Sequence, residues 1–512
     1  MGSAHDPPYY ITVRDVTLPD SFPGATRRGT QKLMLAAVLG LLPGGCALLP
    51  DGIPGIATGP DRFREAAPDT RTAWPDPDWW RGFGSVELDR LMARIAAQNL
   101  DLAQAQARVR QADASARIAG SALLPLVTAG GDTQRSRTGQ GGSAVRRYSV
   151  DLAASYELDL WGRNRNNLEA ARLSAQAQRF DLGTTLITTE ASVANTYFNI
   201  LEARNALRIQ GENLAAARRV LSVIRQQVAA GTATGLDLAQ QETVVAQQEA
   251  AVPPLRQRAA QNAASLAVLV GLAPVELDVI GEGFQGLDVP SPGAGLPSAL
   301  LARRPDVLAS EAALAAANAD VAVARAVLYP NITLSAQGGF QSALLGTLLR
   351  PEAQFYSIAA SLAQTVFDAG ATRGRIALSR AQAEELLAAY RQAILSALSD
   401  VESALAALRE TTEQERLLAE AERRAANAYS VAENQLRGGI INLITLLNTQ
   451  LTLFTARRNL STGRLLRFQA AVGLFRALGG GWGPGLLGGD ALRVSSAVSS
   501  AAGPSGMSGG GR

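Results

Sequence analysis

The stretch YSVDLAASYELDLWGRNRNN, Tyr148 to Asn167, decides the fold because its periodicity changes halfway along. From Tyr148 to Leu158 apolar residues alternate with small or polar ones, which is typical of a strand with one apolar face. After Trp161-Gly162 the chain enters a long stretch rich in Ala, Arg, Leu and Gln with helical spacing. The pattern therefore predicts a strand that passes into a very long helix with no loop between them.

The same change recurs in YSIAASLAQTVFDAGATRGR, residues 356–375, and one offset relates the two copies. Gly162 and Gly370, which end the two switches, lie 208 residues apart (370 − 162). Gly231 and Gly439, further along each copy, have the same separation. Equal spacing over such a length indicates an internal duplication. Each copy is predicted to contain a helix, two strands, a very long helix, a turn and a returning helix.

Four strands are predicted, at about 126–136, 145–158, 332–341 and 354–366. Strands of this length, apolar on one face and small or polar on the other, are typical of outer-membrane barrels. Four strands cannot enclose a lumen, and an open sheet edge cannot face lipid. If the strands lie in a membrane, several chains must therefore share one barrel.

Two helices are predicted at about 163–229 and 371–436, each roughly 100 Å long at 1.5 Å per residue. Helices of this length require a coiled-coil or tube-like assembly. Pro253-Pro254 is expected to break the return helix of the first copy, because two consecutive residues lack an amide donor. The predicted fold class is mainly α with membrane β-strands.

Composition disfavours several functions. The chain has 512 residues, of which 47% are hydrophobic and only 5% aromatic, a mixture that favours closely packed helices over a large globular core. A single His and a single Cys argue against metal clusters and against Ser/His or Cys/His catalysis, so neither an enzyme nor a cofactor is expected. The net charge of +3 is too small to indicate a nucleic-acid partner.

The N-terminal region has the layout of an export signal. Basic residues ending at Lys32 precede a short apolar run, residues 33–42, which is followed by small residues and Cys46. This predicts a lipoprotein that is cleaved before Cys46 and lipidated on it, although Pro43 stands where such signals usually carry Leu. The alternative is an ordinary buried cysteine. No later segment offers ~18 uninterrupted apolar residues, so no transmembrane helix is expected.

The predicted organisation has six parts. They are an N-terminal extension with the signal peptide (1–45), a lipid-anchored segment (46–85), the first repeat (86–271), a connector (272–297), the second repeat (298–478) and a flexible Gly/Ser-rich tail (479–512).

Several stretches, in order along the chain, resemble the outer membrane factors of tripartite efflux systems, the TolC-like family and its NodT-type lipoproteins. They are WPDPDWWRGFGSVELDRLMARIAAQNLDLAQAQARV, YELDLWGRNRNNLEAAR, GTATGLDLAQQET, RRPDVLASEAALAAANADVAVARAVLYPNITL and VFDAGATRGRI. The resemblance implies a homotrimer in the outer membrane of a Gram-negative bacterium. Each chain would give four strands to a shared barrel and long helices to a periplasmic tunnel.

The resemblance also implies partners and site residues. A periplasmic adaptor protein would contact the two hairpin turns, and an inner-membrane pump of the RND type would supply the energy. The turn residues are Gly231, Thr232, Leu236, Asp237, Leu238, Gly438, Gly439, Leu443 and Ile444. The positions that often carry acidic residues at the periplasmic aperture are here the neutral Thr445 and Asn448, so weaker block by divalent cations is expected.

The lumen of such a passive conduit would be lined by small and polar residues such as Ser149, Asp151, Ser155 and Glu157. The exported substrate is open at this level: small molecules such as drugs, toxic compounds or metals, or a protein substrate of a type I secretion system. A soluble periplasmic coiled-coil protein is the alternative from a different class.

Overall fold

A computed structural model describes residues 63–64, 76–137, 144–290, 300–480 and 482 of the chain. The predicted signal peptide and Cys46 lie outside the described residues. The first half contains the helices α1 (Val86–Gln98), α2 (Leu100–Ser121), α3 (Arg163–Ala229), α4 (Gly235–Ala250) and α5 (Val252–Leu269). The second half contains α6 (Pro305–Ala326), α7 (Ala371–Arg437) and α8 (Leu443–Ala477). A short 3-10 turn, Trp79–Phe83, precedes α1.

The four predicted strands form one antiparallel sheet in the order β1-β2-β3-β4. The strands are β1 (Leu126–Ser136), β2 (Val145–Glu157), β3 (Asn331–Ser342) and β4 (Gln354–Ala363). The last strand ends three residues before the predicted boundary of 366, because Ala363 pairs with Asn331, where β3 begins. The mainly α fold class with a few membrane-type strands is confirmed, and both very long helices are present.

The strands do lead into the long helices, but the prediction that no loop separates them is wrong. Five residues, 158–162, separate β2 from α3, and seven residues, 364–370, separate β4 from α7. The chain has to turn at each junction, and it does so with positive φ angles of 76° at Gly162 and 91° at Gly370. Glycine adopts this left-handed conformation without the steric penalty of a Cβ.

Prolines lie at the ends or starts of helices in both copies. The helix α2 ends shortly before Pro125, and α6 ends shortly before Pro330. Ala251 separates α4 from α5, and Pro253 and Pro254 lie in the first turn of α5. A first turn tolerates proline because its amide groups have no partner within the helix.

The aromatic residues are few, but several meet in one apolar core. Trp79 stacks on Phe475 of α8 with ring centroids 4.9 Å apart, and Phe83 lies 5.0 Å from Phe198 of α3. Phe198 in turn lies 4.8 Å from Phe468 of α8. This core therefore joins the N-terminal turn to one long helix of each repeat.

Arg304, in the RRPD stretch, is a buried charge with several partners. Its guanidinium lies 2.6 Å from Asp306 and 3.0 Å from Asp400 of α7, and it donates to the carbonyl of Ala477 at the end of α8. These contacts connect α6, α7 and α8. A buried guanidinium needs several acceptors, and Arg304 finds them here. The RRPD stretch therefore helps to hold the three helices together.

One helix among those described, α6, is long and apolar enough to cross a bilayer by length and composition. No transmembrane helix is expected from the sequence, since this segment lacks ~18 uninterrupted apolar residues; Glu311 and Asp320 lie within the helix. The helix packs against α3 and α7 within the chain, and the side chains of Val307, Leu314 and Val321 are buried.

The region predicted to be a flexible tail from residue 479 onward starts as packed structure. Gly479 and Gly480 donate to the carbonyls of Arg476 and Phe475 and so close the end of α8. The indole of Trp482 donates to the carbonyl of Arg303 across 2.6 Å. Apart from Trp482, residues after 480 lie outside the described part of the chain.

Candidate functional site: sheet face, junctions and hairpin turns

The strand register places polar and apolar side chains on opposite faces of the sheet. The predicted lumen residues Ser149, Asp151, Ser155 and Glu157 alternate along β2 and share one face. Most of their partners across the sheet on this face are small or polar: Asp132, Gly130, Gln341, Gly339, Ser335 and Thr333. The exception is Leu126, which is paired with Ser155. We call this surface the polar face.

The opposite surface, which we call the apolar face, presents mainly large apolar side chains. On β2 they are Tyr148, Val150, Leu152 and Tyr156, and the partner positions on β3 and β4 include Phe340, Leu334, Tyr356, Ile358 and Leu362. Most of these side chains are exposed within the single chain. A large exposed apolar surface indicates that lipid or protein covers it.

Asp151 lies at the centre of the polar face between two glycines. Gly130 and Gly339 occupy the paired positions on the neighbouring strands, and Gln337 donates to the Asp151 carboxylate across 3.0 Å. A Cβ at Gly339 would lie 2.1 Å from the carbonyl oxygen of Val150, so only glycine fits there. Gly339 is not among the predicted site residues, although the pair Gly338-Gly339 inside a predicted strand signals a close approach of two backbones.

Glu157 lies at the end of β2 and pairs with the first residue of the long helix. Its carboxylate is 2.5 Å from the guanidinium of Arg163. Trp161 stacks on Tyr329 with ring centroids 4.8 Å apart and donates to the carbonyl of Pro330 across 2.8 Å. Strand β2 and helix α3 are therefore tied to the chain entering β3.

An aspartate caps each long helix at its junction. Asp159 accepts hydrogen bonds from the amides of Asn164 and Arg165. Burial acts to raise the pKa of Asp159, but the hydrogen bonds from Arg165 and Asn164 outweigh it and lower the pKa. The side-chain and backbone hydrogen bonds from Thr372 lower the pKa of Asp368 in the same way. Both carboxylates therefore stay ionised at the positive ends of the helix dipoles.

The two hairpin turns repeat the same backbone hydrogen bonds. In the first turn Gly231 and Thr232 donate to the carbonyls of Val228 and Gln227 at 3.0 and 2.8 Å. In the second, Gly439 and Ile440 donate to Leu436 and Gln435 at 3.0 and 2.9 Å. Gly231 and Gly439 have φ angles of 73° and 70°. This geometry is the Schellman ending of a helix, formed at equivalent positions of both copies.

The helices that follow the two turns, α4 and α8, begin with similar N-terminal caps. Thr234 and Asp237 form a reciprocal capping box, and hydrogen bonds from the side chain and backbone of Thr234 lower the pKa of Asp237. In the second hairpin Asn442 takes the place of Thr234, and its side chain accepts from the amide and the hydroxyl of Thr445 at 2.9 and 2.8 Å. Thr445 therefore occupies the position that Asp237 has in the first hairpin.

The predicted turn residues divide into an exposed and an inward group. Gly231, Thr232, Leu236, Gly438, Gly439 and Ile444 are exposed, as are the aperture positions Thr445 and Asn448. Leu443 is buried in an apolar cluster of its own chain, and Leu238 packs against that cluster. Ile440 is also exposed at the second turn, although it is not among the predicted turn residues.

Between the turns and the aromatic core, a polar network joins the two hairpins. Asn205 of α3 donates to Ser461 of α8 across 2.8 Å, and Ser461 donates to the buried Glu202 across 3.3 Å. Nearer the turns, Arg457 of α8 donates to Asn213 of α3 across 3.3 Å. The network is not predicted from the sequence, because its members are distant along the chain and no local pattern marks them. The described residues contain no group of three or more His, Cys, Asp or Glu side chains placed to hold a metal ion.

The sequence of this chain matches a known protein family and several of its relatives. A model of the family described as outer membrane efflux protein matches residues 91–272 and again residues 296–480. The chain is 39% identical over 460 residues to the pyoverdine export outer membrane protein OpmQ of Pseudomonas aeruginosa, covering 86% of this chain and 95% of that protein. It is 33% identical over 490 residues to the probable efflux pump outer membrane protein TtgC of Pseudomonas putida, covering 88% and 96%.

Solved structures agree with these matches. The outer-membrane channel OprN superposes with a TM-score of 0.79 at 27% identity, covering 83% of this chain and 98% of that one. The open state of the MtrE outer membrane channel of Neisseria gonorrhoeae gives a TM-score of 0.75 at 25% identity, covering 83% and 96%.

Proposed function

This chain belongs to the outer membrane efflux protein family, and from that premise we propose that three copies form one outer membrane channel. The observation that carries the proposal is the four-stranded sheet with one polar and one apolar face. Its outer strands β1 and β4 each have a single partner within the described chain. Because β1 and β4 run antiparallel, β4 of one copy can pair with β1 of the next until the barrel closes.

The closed barrel would be a water-filled conduit. Its polar face would turn inward, so that Ser149, Asp151, Ser155 and Glu157 line the lumen, and its apolar face would contact lipid. The helices α3 and α7, of 67 residues each, would continue the wall into the periplasm for roughly 100 Å. The polar face presents no cluster of reactive groups among the described residues, which fits passive transport.

The hairpin turns would face the inner membrane. In this proposal a periplasmic adaptor protein contacts the exposed turn residues, chiefly Gly231, Leu236, Gly439 and Ile444, and an inner-membrane pump of the RND type supplies the energy. Leu443 and Leu238 would support the turns from within. Three copies of Thr445 and Asn448 would surround a neutral aperture.

The cargo we propose is a small molecule. The related proteins are named for the export of pyoverdine, for efflux pumps and for toluene efflux, so substrate choice within the family varies. A channel lined by small and polar side chains suits many solutes, and selectivity would then reside in the pump.

Transport in cells tests this function. The chain would be produced with an RND pump and its adaptor in a Gram-negative host that lacks its own efflux channel. We expect a heat-modifiable trimer in the outer membrane and a restored resistance to pump substrates. A monomer in the soluble fraction would overturn the proposal and favour a periplasmic coiled-coil protein. Secretion of a protein by an ABC exporter without restored resistance would favour type I secretion.

We further propose a lipid anchor on Cys46. The arrangement of basic residues, a short apolar run and a single cysteine in the sequence supports it. Labelled palmitate is expected to be incorporated into the wild-type chain and lost in Cys46→Ser. Equal labelling of the two chains would contradict the anchor.

A further inference from the structure

Two arginines stand side by side at the end of the sheet that is farthest from the helices. Arg135 on β1 is paired directly with Arg146 on β2, and both side chains are exposed. Directly opposed residues of an antiparallel pair have Cβ atoms about 5 Å apart, and like charges in this arrangement repel each other. The next residue, Arg147, is paired with Gln134.

The register decides which face each arginine occupies. Because successive residues of a strand point to opposite faces, Arg146 shares the apolar face with Tyr148 and Val150. Arg135 lies on the same face because it is paired with Arg146. Arg147 lies on the polar face, where Asp132 is its diagonal neighbour across the two strands.

The apolar face gives the two arginines no acidic partner. No carboxylate among the described residues forms an ion pair with Arg135 or Arg146. The connection between β1 and β2, residues 137–144, contains neither Asp nor Glu. Two opposed positive charges without a carboxylate are best stabilised by an external anion that bridges both guanidinium groups.

The position along the strand indicates the depth of the pair in a membrane. On the apolar face of β2, Tyr148 and Tyr156 bracket Val150, Leu152 and Ala154, a stretch of about 27 Å along the strand. Strands tilted by about 40° convert this length into about 20 Å of membrane depth, close to the height of an apolar band between its two aromatic girdles. Arg135 and Arg146 lie just beyond the girdle of Tyr148, which is the level of lipid headgroups.

We propose that Arg135 and Arg146 together bind a phosphate of an anionic lipid in the outer leaflet, namely the phosphorylated glucosamine headgroup of lipopolysaccharide. Each guanidinium donates to the phosphate oxygens, and the shared anion removes the repulsion between the two arginines. The inference rests on the proposed trimeric channel, which puts the strand ends at the outer surface. A trimer carries three such sites around its outer rim.

Binding of defined lipids to the purified trimer tests the proposal. Native mass spectrometry in detergent would compare lipid A with both phosphates, dephosphorylated lipid A, and inorganic phosphate. We expect the double variant Arg135→Gln/Arg146→Gln to bind phosphorylated lipid A at least about tenfold more weakly than the wild type, because charge-assisted hydrogen bonds are lost. Arg147→Gln is the matched control, next in sequence but on the polar face, and it should bind like the wild type.

Three outcomes would overturn the site. They are equal lipid binding by the double variant and the wild type, equal binding of phosphorylated and dephosphorylated lipid A, and a loss in Arg147→Gln as large as in the double variant. Competition by millimolar inorganic phosphate would identify a general anion site and would also overturn the lipid assignment. If the wild type and all variants form heat-modifiable, conducting trimers, any of these outcomes rules out the lipid site and leaves the proposed channel intact. If the wild type forms no trimer, the proposed function itself fails.

Discussion

Asn205 of α3 donates a hydrogen bond to the hydroxyl of Ser461 of α8 across 2.8 Å, and both side chains are buried. The two residues belong to different repeats and lie 256 positions apart in sequence. Their contact links the two long hairpins at a point between the aromatic core and the turns. A buried polar contact of this kind is strong only while all its members have partners.

The first prediction concerns this contact. Asn205→Ala removes a partner of Ser461 and of Arg208, which donates to the Asn205 amide oxygen across 2.9 Å. We expect the free energy of unfolding to fall by about 1–3 kcal/mol, because the buried Ser461 hydroxyl loses a donor and Arg208 loses an acceptor. The heat-induced loss of the folded trimer would measure it. Ser222→Ala, an exposed substitution on the same helix, should change little, and an equal effect of the two would contradict the prediction.

The second prediction concerns the hairpin turns. Gly439→Ala forces a Cβ into a left-handed conformation, with φ of 70° and no neighbouring atom within 4 Å, so the cost is purely a backbone cost. We expect a loss of about 1–2 kcal/mol in stability. Gly235→Ala, in the first turn of α4 and equally free of neighbours, is the control. Gly235→Ala should be neutral or slightly stabilising. A lower melting temperature for Gly235→Ala than for Gly439→Ala would refute the prediction.

The third prediction concerns the close approach of β2 and β3. Gly339→Ala would place a Cβ 2.1 Å from the carbonyl oxygen of Val150, whereas a Cβ at Gly338 would meet only ordinary contacts at 3.7 Å and beyond. We expect Gly339→Ala to destabilise the sheet by about 1–3 kcal/mol or more and to reduce the yield of heat-modifiable trimer. Gly338→Ala should leave the yield nearly unchanged. Equal trimer yields from Gly339→Ala and Gly338→Ala would contradict the prediction, because β2 and β3 would then make room for the added Cβ at little cost.

The fourth prediction concerns pH. Burial raises the pKa of Glu190 to about 8, although the indole of Trp79 donates to its carboxylate. The folded state therefore keeps a proton that the unfolded chain releases near pH 4, so this contribution to stability is complete at low pH and is lost as pH rises toward 8. The melting temperature of the wild type should therefore fall as pH rises from 5 to 8, and Glu190 should account for part of this fall.

Glu190→Gln supplies the control for that slope. A glutamine copies the protonated carboxyl and can still accept from Trp79, so the variant should be flatter with pH and more stable than the wild type at pH 8. Parallel pH profiles of the two proteins would contradict the assignment of the slope to Glu190.

The fifth prediction concerns the aperture. With Thr445 and Asn448 neutral, single-channel recordings should show weak block by divalent cations applied from the side of the turns. Thr445→Asp and Asn448→Asp should introduce block, since each trimer would gain three carboxylates per substitution. The first hairpin already accommodates an aspartate at the equivalent position, Asp237, so Thr445→Asp should fold. Strong block of the unmodified channel would refute the prediction.

The sequence by itself determined the features that depend on local physics. Alternation over Tyr148–Leu158 fixed the strand and its faces, because side chains in a strand have a period of two. Gly162, Gly231 and Gly439 marked places where the backbone needs a positive φ. The repeated spacing of such local signals also predicted the duplication, without knowledge of any long-range contact.

Only the tertiary structure decided how distant segments meet. The Asn205–Ser461 contact, the partners of Arg304 and the stacking of Trp79 on Phe475 each join residues that are far apart along the chain. The pairing of Arg135 with Arg146 needed the strand register, which shifts every side chain to the other face if it slips by one residue. Such partners follow from helix packing and strand pairing across the molecule, and the composition around any one residue does not contain that information.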